Sequence, residues 1–333
     1  TFYTALYRAQ ICPTLYSDVD GRYLGADREI HQRAGGTYST FSLWDTYRAA
    51  HPLYSILQPN LQRDFVQSLI DFGEQNEGHL PVWNMFASET DMMIGYHSVP
   101  VIVEAVLRGI YVPKDKAKLL SLLRTTAERK GYRGLDDYRK KGYVASDRED
   151  ESVSKTLEYA YDDWCILQAL QKAGASADQQ QLYAERAMNY RKLYDPSIGW
   201  MRGRRQDGSF QAPFSVYKWG DAFTEGNSLH YSWSVFHDVQ GLIDLMGGDK
   251  AFTRKLDSIF TLPPVFDDSY YGYVIHEIRE MQIMDMGNYA HGNQPIQHMI
   301  YLYDYAGEPS KTQYWVREVM RRLYSDRPDG YCG

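Results

Sequence analysis

The chain has 333 residues, a net charge of -7, and 24% charged against 44% hydrophobic residues. This composition is typical of a globular protein, and the sequence contains no run of about eighteen apolar residues that would cross a membrane. The acidic balance and the lack of a basic run exclude nucleic-acid binding, which depends on neutralising phosphates. Tyrosine is frequent at 29 residues, which suits either a sugar-binding cleft or the packing of a large helical fold.

Apolar residues recur with helical periodicity along most of the chain. The first predicted helix opens at Phe41 and is interrupted at Pro52. The next predicted helices cover residues 60–74, 97–110, 114–129, 152–172 and 178–194. Residues 198–219 are rich in glycine, arginine and aromatic side chains and predict a hairpin or a long loop. Helices are predicted again over residues 226–246, 250–260, 276–286, 295–306 and 310–325.

These segments amount to roughly ten helices in consecutive pairs, without the strand alternation of a βαβ fold. Paired helices joined by long irregular loops favour an all-α toroid of the α/α type, whose loops gather on one face and build a site. A ring of six helical hairpins needs twelve helices, so we expect an (α/α)6 barrel that is incomplete at its C-terminal end. An open helical solenoid is the alternative, and the absence of a repeat period argues against it.

A polar, glycine-containing run from Trp219 to Tyr231 contains one glutamate, Glu225. Glu225 is predicted at the N-terminus of the 226–246 helix, where the helix dipole favours the carboxylate and lowers its pKa. A general acid needs a raised pKa, so burial among the aromatic side chains of the run would have to outweigh the dipole. Considered alone, Glu225 is either a general acid or a carboxylate that caps the helix.

A second polar run, from His291 to His298, interrupts another predicted helix with a glycine and a proline. Amide side chains and freed backbone carbonyls are oxygen ligands that Ca²⁺ prefers, and Asn293 and Gln294 are the candidates. The two histidines could instead indicate zinc, but no nearby thiolate or His-x-x-x-His pair completes such a site. A kink with satisfied amides is the other interpretation.

Two stretches in the first half of the chain carry candidate substrate-binding residues. Trp44 and Asp45 precede Arg48, so they offer either a stacking platform with a bidentate acceptor for sugar hydroxyls or a plain surface ion pair. The second stretch mixes aromatic, carboxylate and imidazole groups before a helix, and its candidates are Trp83, Glu89 and His97.

Glu158 and Asp162 share one face of the predicted 152–172 helix. Because like charges one helical turn apart repel, the pair needs a positive partner such as Lys155, or a functional reason. We interpret this pair as structural.

Together these stretches resemble the bacterial family 92 glycoside hydrolases, which are exo-acting α-mannosidases. The resemblance runs nearly the whole chain in register, and the segments that carry it are Ser17–Tyr23, Phe41–Tyr47, Ile94–Ser98, Ser152–Trp164, Thr224–Ser228, His291–Pro295 and Ser325–Gly333. It implies that residues 1–333 are a partial (α/α)6 catalytic domain. The family's N-terminal β-sandwich domain and the closing C-terminal helices are expected outside this chain.

The resemblance assigns roles to individual residues. By motif match Glu225 is the general acid, and Asn293 and Gln294 are among the ligands of one Ca²⁺ that helps to bind and distort the mannose ring. Many members carry a glutamate at the position of Gln294, so a neutral ligand here is expected to weaken the metal site. Leu229 stands where an aromatic residue is common.

The implied activity is the release of mannose from α-mannosides and N-glycans, with inversion, by a secreted, periplasmic or cell-surface protein. Inversion requires an acid and a base carboxylate with a water between the base and the anomeric carbon. In the family the base follows the motif that ends at Gly333, so we expect the isolated chain to lack both the base and activity. The alternative function is a catalytically incomplete helical module that binds mannose and calcium. Neither linkage specificity nor oligomeric state follows from the resemblance.

Overall fold

The structure, a computed structural model, describes residues 2–332. Gly333, the last residue of the predicted C-terminal motif, lies outside the described residues. Helices dominate the described chain, as the periodicity predicts, and strands occur there as short two-stranded antiparallel pairs. Within residues 2–332, no helix combines the length and the apolar character that a membrane span requires.

The helices occur throughout the described chain. In chain order, the α-helices are α1 Phe2–Arg8, α2 Leu43–Thr46, α3 Ala50–Leu57, α4 Pro59–Gln75, α5 Ser98–Leu107, α6 Lys116–Ala127, α7 Leu135–Lys141, α8 Ser152–Ala173, α9 Ala177–Ala187, α10 Ser228–Tyr231, α11 Val239–Leu245, α12 Asp249–Thr261, α13 His276–Met284, α14 Gln294–Gln297, α15 Leu302–Tyr305 and α16 Pro309–Leu323. Two 3₁₀-helices lie at Met188–Leu193 and His298–Tyr301.

The strands are two or three residues long. They are β1 Thr14–Leu15, β2 Arg22–Leu24, β3 Ile30–Gln32, β4 Tyr38–Ser39, β5 Asn84–Met85, β6 Ser88–Glu89, β7 Tyr194–Asp195 and β8 Trp200–Met201. The antiparallel pairs are β1 with β4, β2 with β3, β5 with β6 and β7 with β8. The last pair and the loop after it confirm the predicted irregular segment over residues 198–219.

The described chain divides into two compact units. Unit 1 comprises residues 2–139 and 158–188, and unit 2 comprises residues 140–157 and 189–332. Helix α8 therefore contributes its first residues to unit 2 and the remainder to unit 1. The prediction that residues 1–333 belong to one catalytic domain stays a prediction.

Unit 1 is packed around the apolar face of α4. This helix begins with a proline, whose missing N–H is harmless in the first turn, and it buries Phe65, Val66, Leu69 and Phe72. The ring of Phe65 meets that of Phe41 edge to face, with ring centroids 5.8 Å apart. The residues just before α2 are thereby fixed on the core of unit 1.

Unit 2 has a continuous apolar core to which α10, α11, α12, α13 and α16 contribute. Trp219 and Trp233 are fully buried, and the Trp233 indole meets the ring of Phe252 edge to face at 5.5 Å. Trp219 begins the loop that carries Glu225, so this core determines where the loop starts.

The predicted continuous helix over residues 226–246 is wrong. Only α10 and α11 form within it, and an irregular segment separates them. The Trp233 indole N–H donates to the carbonyl of Leu229 at 2.8 Å, and the Ser232 hydroxyl donates to that of Ser228 at 2.7 Å. Side-chain donors thus occupy carbonyls of α10, as residues that compete with helix propagation do. The predicted helix over 295–306 is likewise divided into α14, a 3₁₀ turn and α15.

The prediction that Pro52 interrupts the first helix is also wrong. The break lies at residues 47–49, after the single turn of α2, and Pro52 lies in the first turn of α3. Proline is tolerated there because the N–H groups of a first turn have no partner within the helix. The short strands before residue 40 and helix α7 were not predicted from the periodicity.

Candidate active site

Glu225 lies in unit 2 in a loop whose two sides are anchored by hydrogen bonds. The Thr224 N–H donates to Ser154 Oγ at 2.9 Å, and the Gly220 N–H donates to the Gly226 carbonyl at 3.0 Å. The residues on either side of Glu225 are buried, whereas Glu225 itself is only partly buried. The loop therefore presents this carboxylate from a rigid backbone.

Asn227, and not Glu225, caps α10. The Asn227 Oδ1 accepts hydrogen bonds from the N–H groups of Leu229 at 2.9 Å and His230 at 3.3 Å, and the Asn227 N–H donates to His230 Nδ1 at 3.2 Å. These contacts form a capping box. Because the cap is provided by Asn227, the interpretation of Glu225 as a capping carboxylate is wrong. A helix of one turn also has little dipole with which to lower the pKa of a nearby acid.

Glu225 adopts a strained backbone conformation. Its φ is 44°, in the left-handed region that costs a non-glycine residue about 1–3 kcal/mol. Two further acids of unit 2, Glu151 and Asp221, each have φ of 59°, and the Glu151 N–H donates to the Asp221 carbonyl at 2.6 Å. Such conformations persist where the surrounding structure over-determines them, and they concentrate at functional sites.

The structure brings Asn293 and Gln294 to the backbone of Glu225. The Asn293 Nδ2 donates to the Glu225 carbonyl at 2.7 Å, and its Oδ1 accepts from the Gln294 N–H at 3.1 Å, where α14 begins. The two polar runs that were singled out separately in the sequence therefore belong to one cluster. Their separation of 68 positions is the reason that sequence pattern alone could not join them.

Tyr271 is a member of this cluster that the sequence analysis missed. Its ring is partly buried against the core of unit 2. Burial, followed by the nearby carboxylates of Glu225 and Glu151, raises the pKa of its phenol, so it remains a neutral hydrogen-bonding group. The three tyrosines at positions 270, 271 and 273 were the available signal, but nothing in the sequence indicates which of them lies near the acid.

His230 links the Glu225 loop to the segment that leads to Asn293. Because its Nδ1 accepts from Asn227, its Nε2 carries the proton and donates to the Asn288 carbonyl at 3.0 Å. Burial lowers the pKa of His230 to about 3, so the ring is neutral over the physiological range. This histidine therefore positions two backbone segments and does not act as a general acid.

The oxygen atoms around residues 291–294 suit a hard cation. A Cβ at residue 292 would overlap Glu280 Oε2, so Gly292 provides the space that a carboxylate oxygen occupies at the break. Amide oxygens of Asn293 and Gln294 follow directly, and oxygen ligands of this kind suit Ca²⁺. Within residues 2–332, no group of three or more His, Cys, Asp or Glu side chains is arranged to bind a metal ion. The residues present thus fit Ca²⁺ with carbonyl, amide and carboxylate ligands, and they do not fit zinc.

Trp44 and Asp45 lie in unit 1 on α2. Trp44 is only 2% exposed, and its Nε1 donates to Glu158 Oε1 at 3.1 Å. Burial raises the pKa of the partly buried Asp45, and the nearby Arg48 and a hydrogen bond with Ser42 counteract part of that increase. Asp45 is therefore the more accessible member of the pair. Sugar stacking on Trp44 stays a prediction, and protein atoms cover its ring in this structure.

His97 lies in unit 1 between two buried carboxylates. Its Nε2 is 2.8 Å from Glu158 Oε2, and its Nδ1 is 2.9 Å from Asp162 Oδ1. Burial opposes the charged ring, but the Asp162 and Glu158 carboxylates outweigh burial and raise the pKa of His97 to about 9. The ring of Tyr47 stacks on the imidazole at a centroid distance of 3.9 Å.

The imidazole of His97 lies between Glu158 and Asp162, and the guanidinium of Arg48 is a second positive group, 3.5 Å from Glu158 Oε1. The expected partner, Lys155, instead contacts Glu149 at 2.5 Å and Glu151 at 3.7 Å, so that expectation is wrong. A histidine that donates from both ring nitrogens can bind one oxygen of each carboxylate. Lys155, one helical turn from Glu158, does not make these contacts. Direct sugar binding by His97 stays a prediction.

Glu89 and Trp83 lie together in the turn around β5 and β6 of unit 1. The Glu89 carboxylate accepts four backbone N–H groups at 2.7–2.9 Å, from Val82, Trp83, Thr90 and Asp91. A carboxylate bound in this way stabilises the loop backbone and orients the partly buried Trp83 side chain. Glu89 is therefore engaged with its own loop, and its predicted contact with substrate stays a prediction.

We compared the chain with known proteins to identify its family. The family model for the catalytic domain of glycosyl hydrolase family 92 matches residues 1–333. A curated protein of the fungus Arthroderma benhamiae, described as an uncharacterized secreted glycosidase, is 22% identical over 93% of this chain. The match covers 41% of that protein's length.

Two solved structures from Bacteroides thetaiotaomicron match the whole chain. A family 92 α-mannosidase in complex with mannoimidazole has 38% identity and a TM-score of 0.90, and this chain covers 44% of it. A family 92 inverting mannosidase has 40% identity and a TM-score of 0.88, and this chain covers 46% of it. The predicted all-α fold of the α/α type is confirmed. With a family model that matches the whole chain and relatives of this identity, the chain belongs to the catalytic domain of the family 92 glycoside hydrolases.

Proposed function

We propose that this chain is part of an inverting, exo-acting α-mannosidase and that Glu225 is its general acid. The observation that carries the proposal is the placement of Glu225, which is partly buried, strained and tied through its backbone to Asn293. Of the two solved structures reported above, one is described as an α-mannosidase and the other as an inverting mannosidase, which supports the reaction class. The chain spans less than half of those relatives, so the activity is proposed for the intact protein.

In this proposal the protonated Glu225 donates its proton to the glycosidic oxygen as the bond to the anomeric carbon breaks. A water molecule attacks the opposite face of the sugar, and a second carboxylate accepts its proton. The rigid backbone around Glu225 supports the first step, because a general acid must remain within hydrogen-bond distance of the leaving oxygen.

For substrate binding, we assign Asp45 the role of accepting hydrogen bonds from sugar hydroxyl groups. Its carboxylate is partly accessible, whereas the neighbouring Trp44 is buried. Mannose-containing glycans are the substrate class that the mannoimidazole complex of the relative suggests. The described secretion of the fungal relative supports a secreted or cell-surface location, where such glycans occur.

The stereochemistry of the product tests this proposal. Proton NMR of the intact protein acting on an aryl α-mannoside is expected to show β-mannose first, because a single displacement inverts the anomeric carbon. The α-anomer then appears by mutarotation. Initial release of α-mannose would contradict inversion, and the absence of mannose release would favour the alternative that the protein only binds mannose and calcium.

We further propose that Asn293, Gln294 and Glu280 supply oxygen ligands to one Ca²⁺. When bound, the ion would supply positive charge that orients sugar hydroxyl oxygens. The chain's own part is to present Asn293 and Gln294 at the start of α14 and Glu280 on α13, and Asn293 also contacts the acid-bearing loop.

Removal of calcium is expected to abolish most of the activity of the intact protein. Adding calcium back should restore that activity, whereas adding magnesium should not. Calcium accepts six to eight oxygen ligands in flexible geometry, whereas magnesium demands a tight octahedron that this open break does not provide. Activity assays after exhaustive chelation, with elemental analysis of the protein, check this result. Full activity in a protein shown to be free of metal would contradict the assignment.

A further inference from the structure

The charged cluster around Glu158 has no role in the proposed chemistry, yet it contacts the segment that carries Asp45. Glu158 accepts a hydrogen bond from Trp44 Nε1 at 3.1 Å, and its second oxygen lies 2.8 Å from His97 Nε2. Asp162 Oδ1 lies 2.9 Å from the other ring nitrogen of the same imidazole, Nδ1. These side chains are all buried, so no solvent competes for the contacts.

Helix α2 does not stabilise itself. It consists of one turn, Leu43–Thr46, and its N-terminal residue Ser42 makes no side-chain capping hydrogen bond. Isolated turns of this length are unstable because the first turn fixes several backbone dihedral angles and gains few hydrogen bonds in exchange. Besides the hydrogen bond of Asp45 with Ser42 and the nearby Arg48, the orientation of Asp45 therefore depends on the contacts that neighbouring side chains make with the rest of unit 1.

Two such contacts end at Glu158. The first is the indole hydrogen bond from Trp44, and the second is Arg48, whose Nη2 lies 3.5 Å from Glu158 Oε1 while its Nε donates to the Trp44 carbonyl at 3.1 Å. The guanidinium also lies over the ring of Tyr47, 4.7 Å from its centroid. Side chains on both sides of Asp45 are thus attached to one carboxylate.

We propose that Glu158 and His97 are positioning residues, which fix the single turn of α2 so that the Asp45 carboxylate is presented to a sugar hydroxyl. Asp162 completes the arrangement by orienting the imidazole from its other side. The inference rests on the proposed role of Asp45. It assigns to this face of α8 a task in substrate binding that Glu158 performs without touching the sugar.

Kinetics of the intact protein test the proposal through Glu158→Gln, which keeps the size of the side chain. The expected result is a roughly ten-fold increase in KM for an α-mannoside with kcat changed less, because a binding contact is misplaced. In an Asp45→Asn background, Glu158→Gln should raise KM little further, since both substitutions then affect the same interaction with the sugar. Equal factors in the two backgrounds would overturn the proposal.

Glu104→Gln is the matched control, because Glu104 lies on α5 of the same unit and pairs with the exposed Arg108. It is expected to leave KM unchanged. Should Glu158→Gln fail to fold, Trp44→Phe removes only the indole donor from the same contact and is expected to raise KM as well. A normal KM for Trp44→Phe would overturn the proposal.

A spectroscopic measurement separates this inference from the proposed function. In the ¹⁵N–¹H spectrum the Trp44 indole signal, assigned by its loss in Trp44→Phe, is expected downfield because its N–H meets a carboxylate. Glu158→Gln should move it upfield, whereas Glu104→Gln should not. An unchanged indole signal would overturn the inference whatever the activity. Absence of mannosidase activity with the expected shift would count against the proposed function only.

Discussion

Replacing Glu225 by glutamine in the intact protein is expected to slow the hydrolysis of α-mannosides with poor leaving groups by about a hundred- to ten-thousand-fold. Glutamine has nearly the same shape but no proton to transfer to the leaving oxygen. Because the backbone bonds of the loop come from Thr224, Gly226 and Asn293, they do not depend on the carboxylate. The measurement is kcat/KM for an alkyl or disaccharide substrate.

Activated aryl mannosides provide the internal control for Glu225→Gln. Their leaving groups depart as anions without help, so their hydrolysis should lose much less rate. Glu318→Gln, on the exposed face of α16, serves as a matched variant whose activity should equal that of the unmodified protein. Equal losses for both substrate types would show that Glu225 acts structurally and not as an acid.

The free energy of unfolding is expected to fall as the pH rises from about 6.5 to about 9, because His97 then loses the proton that joins two buried carboxylates. The pKa of His97 is raised in the folded chain from 6.5 to about 9. Its stabilising contribution is therefore complete below pH 6.5 and is lost as the pH passes through the folded value. The difference corresponds to about 3 kcal/mol, at about 1.4 kcal/mol for each pH unit.

His97→Gln isolates this contribution, since other groups titrate in the same range. Burial lowers the pKa of Lys255 to about 8, for example, and that lysine changes stability in the opposite direction at alkaline pH. Urea unfolding of both proteins between pH 6 and 9.5 gives the two curves. The difference in the free energy of unfolding between the two proteins should become smaller as the pH rises. A gap independent of pH would show that His97 is neutral in the folded chain.

Several helices could be predicted closely from local pattern because their limits are local. The predicted segments 60–74 and 114–129 correspond to α4 and α6, each of which combines an apolar stripe with its own start signal. Helix α4 begins at Pro59, and the side chain of Asp115 accepts the N–H of Lys118 at the start of α6. The segment at 226–246 failed because side-chain donors compete for carbonyls at the end of α10, which apolar spacing does not report.

The sequence by itself determined the helical class, the family resemblance and the choice of Glu225 as the candidate acid. Those conclusions rest on short motifs and on periodicity, both of which are local features of the sequence. Only the tertiary structure decided that Asn227 caps α10, that Asn293 contacts the Glu225 backbone, and that His97 lies between Glu158 and Asp162. His97 lies 61 positions from Glu158, whereas Lys155 lies one turn from it. Folding brought the imidazole, which can donate from both ring nitrogens, to the two buried carboxylates, whereas the buried Lys155 contacts Glu149 and Glu151 instead.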